Sequence, residues 1–178
     1  VWGIKVARDP TPKNYKIYLT YCAQNQTATS AVFTTKACRS TNNGIDWQDW
    51  HTLVDYLNPA IEAGVNNHVY LAATKNNQTE DVCYKRSTDA GLTWSEWHNL
   101  SCDDGAQSHD ACPVAIAAST DEDIPTVWII YNYEKSYGKK DHDIRYAYST
   151  DAGYKWTVNQ ILAGNAGNEY SFSAKSYR

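Results

Sequence analysis

Three stretches of the chain carry the same phrase: CRSTNNGIDW at 38–47, KRSTDAGLTW at 85–94 and AYSTDAGYKW at 147–156. Each sets a Ser-Thr pair, an Asp or Asn, a Gly and a Trp at the same offsets. A glycine after an Asx residue reads as a tight hairpin turn, with Gly44, Gly91 and Gly153 supplying positive φ. Asn42, Asp89 and Asp151 are placed to accept hydrogen bonds from turn N–H groups. An indole three residues beyond the glycine is too large to serve the turn alone. Trp47, Trp94 and Trp156 therefore read as apolar plugs folded under their turns, each burying roughly 150–250 Å².

The phrases start at Ser40, Ser87 and Ser149, separated by 47 and 62 residues. Spacings of this size match one four-stranded supersecondary unit per repeat. The intervening text agrees: NPAIEAGVNN (58–67), HVYLAATK (68–75), DVCYKRS (81–87) and SEWHNL (95–100) read as four short strands, and CPVAIAAST, TVWIIYNY, DIRYAYS and TVNQILA repeat the order. Fourteen Tyr and seven Trp against two Phe and no Met fit half-buried pleated surfaces, so the chain reads as all-β.

Written as Ser-Thr-[Asp/Asn]-x-Gly-x-x-Trp, the phrase resembles the Asp-box, or BNR repeat, of sialidases and related β-propellers. The resemblance covers the whole chain. It implies about three four-stranded blades, at about 1–57, 58–106 and 107–166, with EYSFSAKSYR at the start of a fourth blade (167–178). It also implies that the box residues (Ser40, Asn42, Gly44, Trp47; Ser87, Asp89, Gly91, Trp94; Ser149, Asp151, Gly153, Trp156) brace turns on the face away from any active site. Family sialidases hold the substrate carboxylate with an arginine triad whose first member lies in [FY]-R-I-P. The nearest text here is Ala7-Arg8-Asp9-Pro10, which keeps only the Arg and the Pro, and Glu169 stands about where a family Glu is expected. Arg39, Arg86 and Arg145 occupy positions suited to blade surfaces. The preferred expectation is therefore a non-catalytic propeller segment, a scaffold for a glycan or protein partner or a subunit of a larger assembly. The alternative is a piece of a sialidase or related glycoside hydrolase whose other catalytic residues lie elsewhere.

Three box-bearing units fall short of the roughly four to eight blades of closed propellers, so the missing blades are expected from other copies or from a longer parent chain. Sixteen basic and twenty acidic residues form no block of one sign, which argues against a nucleic-acid partner, and no apolar run has the length of a membrane span. The sequons at Asn25, Asn77 and Asn99 point to a secreted glycoprotein, as do the cysteines. Cys22 and Cys38 face each other if Gln24 to Phe33 is a hairpin turn region, and Cys102 and Cys112 bracket a polar loop, leaving Cys83 unassigned. No cofactor is required. DHD (141–143) and DEDIP (121–125) are clustered carboxylates of a calcium-binding kind, although solvated loop tips look the same. YNYEKSY (131–137) resembles a sugar-stacking platform, and strand packing accounts for it equally well.

Overall fold

The computed structural model describes residues 2–11, 15–26, 31–76, 80–101, 115–120, 123–134 and 142–164. Every regular element in them is a strand, and no helix of the described residues is long and apolar enough to cross a membrane. Twelve strands form three four-stranded antiparallel sheets. The first holds β1 (Trp2–Arg8), β2 (Ile17–Gln26), β3 (Ala31–Ser40) and β4 (Gln48–Val54). The second holds β5 (Tyr56–Ala63), β6 (Val69–Lys75), β7 (Val82–Ser87) and β8 (His98–Asn99). The third holds β9 (Ala115–Ala118), β10 (Val127–Glu134), β11 (His142–Ser149) and β12 (Thr157–Ala163). Each sheet is a meander in chain order. The second starts at Tyr56, slightly before the boundary read from the sequence.

The first strands gather together, with β5 packed against β1 and against β9. Two apolar clusters fill the spaces between sheets. One joins Ala7, Tyr18 and Ala37 of the first sheet to Ile61, Ala63, Val69 and Leu71 of the second. The other joins Tyr70, Ala72, Val82 and Tyr84 of the second sheet to Ile116, Val127, Ile129 and Tyr131 of the third. Because the second sheet is covered on both faces, β6 is buried from Val69 to Thr74. That is why VYLAAT is a run of apolar and small residues rather than an alternation.

The three β-hairpins formed by the second and third strands are in equivalent register. Tyr18 pairs with Arg39, Tyr70 with Arg86 and Trp128 with Tyr148.

The same register removes one expected disulfide. The β2–β3 hairpin pairs Gln24 with Phe33 and Gln26 with Ala31, and in that register Cys22 lies opposite Thr35 and Cys38 opposite Leu19. Three rungs then separate the cysteines, roughly 10 Å along the strands. An odd separation also points the side chains to opposite faces, and neither condition permits a bridge. Cys22 and Cys38 are buried free thiols, and Cys83 is buried as well. Cys102 and Cys112 lie outside the described residues.

Candidate functional site

The three repeated turns occupy the connection between the third and fourth strands of each sheet. In the second, Ser87 Oγ donates to Asp89 Oδ1 (2.7 Å) and accepts from the Gly91 N–H (2.8 Å), while Asp89 Oδ1 accepts from the Thr93 N–H (2.9 Å). In the third, Ser149 Oγ donates to Asp151 Oδ1 (2.8 Å) and accepts from the Gly153 N–H (2.8 Å), and Asp151 Oδ1 accepts from Lys155 N–H (2.8 Å). Asn42 does the same work in the first through its amide oxygen, accepting from Ser40 Oγ (3.0 Å) and Asp46 N–H (2.8 Å), with Gly44 N–H on Ser40 Oγ (2.8 Å).

Two consecutive residues in each turn are left-handed: Asn43 and Gly44, Ala90 and Gly91, Ala152 and Gly153. The first of each pair sends its N–H to the hairpin between the first and second strands of its own sheet: Asn43 to Tyr15 O, Ala90 to Asn67 O and Ala152 to Pro125 O, at 2.8–3.1 Å. The indoles sit half-buried beneath, Trp94 against the first apolar cluster and Trp156 against the second. Trp47 is also half-buried.

Hydrogen bonding decides the charge state of these turns. Desolvation raises the Asp89 carboxyl, but bonds from Thr93, Ser87 and Leu92 outweigh it and bring the pKa down to about 2. Asp151 is lowered as well, chiefly by the Lys155 N–H. The turn's own donors hold both carboxyls toward the ionised form, which suits a brace and not a general acid.

The arginines ahead of two of the serines are not the surface residues expected. Arg39 Nη1 donates to Ala90 O in the next sheet's turn (3.0 Å), and Arg86 Nη1 donates to Ala152 O in the one after (3.3 Å). Arg86 also lies over the Tyr154 ring, 3.1 Å from its centroid. Each arginine therefore ties its sheet to its neighbour through an equivalent carbonyl. Tyr148 occupies this position in the third sheet.

Arg145 is likewise no surface group: it lies 3.8 Å from the fully buried Asp143 and 3.3 Å from the Tyr133 centroid. Asp143 is thus not the solvated loop carboxylate that DHD implied. Asp121 and Asp141 fall outside the described residues, and among those described no cluster of three His, Cys, Asp or Glu side chains is arranged to hold a metal.

Arg8 is exposed at the end of β1, and Glu169 lies outside the described residues. Asn25 lies within β2 opposite Val32, not in the connection as expected, and Asn77 lies outside the described residues. Asn99 is exposed and accepts the Ser101 N–H through Oδ1 (3.0 Å).

One acid that no motif marks stands out. Glu62 is half-buried on β5, and desolvation pushes its carboxyl up to about 7 against the pull of the Ala63 N–H. Its only sequence signal is a single Glu in an otherwise apolar strand, NPAIEAG.

No family model and no curated protein matches this sequence. Its fold does resemble solved structures. An α-L-arabinanase of Penicillium chrysogenum, complexed with arabinobiose, aligns with a TM-score of 0.57 at 12% identity, over 90% of this chain and 49% of that one. A member of the GH130 family of mannoside phosphorylases, from work on glycoside hydrolases that target β-1,2-mannosidic linkages in Candida mannan, aligns at 0.50 and 12%, over 91% and 50%. A PL25 polysaccharide lyase, an ulvan lyase, aligns at 0.50 and 14%, over 85% and 40%. The chain spans half or less of each of these structures. At such identities the likeness is one of fold: antiparallel four-stranded sheets arranged as in the β-propellers of carbohydrate-active enzymes.

Proposed function

We propose that this chain is part of an extracellular Asp-box β-propeller that binds carbohydrate without cleaving it. The triplicate turn carries the reading: the same Ser–Asx–Gly bonds recur at the same strand connection in all three sheets. A repeated brace follows from blade repetition, whereas a catalytic centre is built once from unlike residues. The structural likeness to an arabinanase, a mannan-directed glycosidase and a lyase favours a carbohydrate ligand.

The stack of sheets supports a larger ring. Val6 on the first sheet alternates with the inward Ala7, and Trp128 on the third alternates with the inward Val127 and Ile129, yet both are exposed. More of the same chain, or further copies of it, would cover such outward apolar faces.

Binding of the purified chain to a printed glycan array, run beside a fluorogenic sialoside assay, tests the proposal. Saturable binding to a glycan class with no sialoside turnover is the expected result. Turnover that disappears in Arg8→Ala would replace this reading with a sialidase fragment.

A further inference from the structure

The three sheets meet at two junctions that differ in one telling way. At the second junction Tyr84 fills the gap: its ring centroid is 4.6 Å from that of Trp156, and its hydroxyl donates to Gly153 O at 3.4 Å. It is buried in one cluster with Leu100, Ile129 and Ala147. Register identifies the matching residues at the first junction. Ala72 pairs with Tyr84 and Thr20 with Ala37, so Ala37 holds the position of Tyr84. Ile129 pairs with Ala147 and Leu71 with Lys85, so Lys85 holds the position of Ala147. Tyr84 pairs with His98 and Ala37 with His51, so the histidines also correspond. The first junction has no aromatic at the position of Tyr84, Tyr18 of β2 packing against Gly91 instead, and it has gained a long base.

A cleft of about 270 Å³ opens there, lined by His51, Leu53, Leu71, Lys85 and Trp94. The polar side chains lining it among the described residues are His51, Lys85 and Trp94. Trp94 Nε1 and His51 Nε2 are buried with no hydrogen-bond partner among the described residues. An indole N–H can only donate, and His51 Nε2 donates as the Nε2–H tautomer or when protonated. No carboxylate of the described residues lines the cleft. Lys85 sits 5.1 Å from the Trp97 ring centroid, its basicity lowered by desolvation and partly restored by Glu96. The remaining walls, Leu53, Leu71 and the Trp94 ring, are apolar.

From this lining we infer that the cleft binds a small carboxylate, its anion against Lys85 and its ring or hydrocarbon face against Trp94 and the leucines. An anion returns to Lys85 the interaction that burial removed. The volume lies at the lower end of ligand sites and suits a single ring. A uronic acid residue of a glycan and a free aromatic acid share this chemistry, so the site does not depend on the carbohydrate reading.

Tryptophan fluorescence and saturation-transfer NMR on the full chain, with D-glucuronate, benzoate and glucose as probes, test the inference. At least one of the two acids should saturate in about the millimolar range, as expected for ligands of this size, and glucose should not. Lys85→Met keeps most of the side-chain length and should weaken binding at least about tenfold. Glucuronate binding joins this cleft to the proposed glycan function. Benzoate binding alone keeps the site and leaves the glycan question to the array. Failure of both acids to bind, or equal binding by Lys85→Met, overturns the inference.

Discussion

Glu62 makes the stability of this protein fall as pH rises through a defined window. Its ordinary pKa of 4.5 rises to about 7 in the folded chain because β5 withdraws it from water, the Ala63 N–H at 3.1 Å being its one hydrogen bond among the described residues. Between those values the folded chain holds a proton that the unfolded chain has released. Stability is therefore unaffected below about pH 4.5, declines across the window and levels off above about 7. At about 1.4 kcal/mol per pH unit the whole difference is roughly 3 kcal/mol, and partial solvent screening of a half-buried group brings the expectation nearer roughly 2. Glu62→Gln keeps the shape and the Ala63 bond but cannot ionise. Urea unfolding of both proteins at intervals from pH 4.5 to 8 isolates the effect, because the histidines are common to both and cancel in the difference. The variant should match the wild type at the acid end and exceed it by the full amount above pH 7. Parallel curves, or a wild type that gains on the variant as pH rises, would refute the placement of this carboxyl.

Three other outcomes are expected. Gly44→Ala should cost about 1 kcal/mol for its left-handed backbone, whereas Gly153→Ala, whose new methyl would collide with the buried Tyr84 hydroxyl, should cost roughly 3 kcal/mol in denaturant titrations. Arg86→Ala should cost about 2 kcal/mol by losing both the Ala152 carbonyl and the Tyr154 ring, and a double-mutant cycle with Tyr154→Ala should show coupling of at least about 0.5 kcal/mol. The Cys22 thiol is raised by burial and Cys38 is pushed up to about 11, so both should resist iodoacetamide in the native chain and react fully in denaturant; a Cys22–Cys38 linked peptide in a non-reducing digest would contradict the β2–β3 register.

Whatever depended on neighbours along the chain was legible without coordinates. Strand periodicity, the turn glycines and the Ser–Asx bonding in Ser87-Thr88-Asp89-Ala90-Gly91 are set by residues within a few positions of each other, and repetition three times over raised a local pattern to an architectural one. Even there one feature went unread. Asn43 ahead of Gly44 carries the usual left-handed signal, but nothing in Ala90 or Ala152 announces one, because each is held there by a carbonyl from a different hairpin.

What passes between sheets was decided only by the fold. Arg39 reaches a carbonyl 51 residues away and Arg86 one 66 residues away, so neither sequence neighbourhood contains the partner that makes the arginine a staple. The Cys22–Cys38 pairing failed because the pairing of whole strands decides what stands opposite what: Gln24 opposite Phe33 sets Cys22 against Thr35, and the three rungs to Cys38 turn its side chain to the other face. Glu62 acquired its near-neutral pKa, and Lys85 and Trp94 their cleft, from surfaces brought against them by the stacking of sheets. Hydrogen-bond geometry within a turn is a local property of the chain, but desolvation and cavity volume depend on what lies across an interface, and only the assembled sheets determine that.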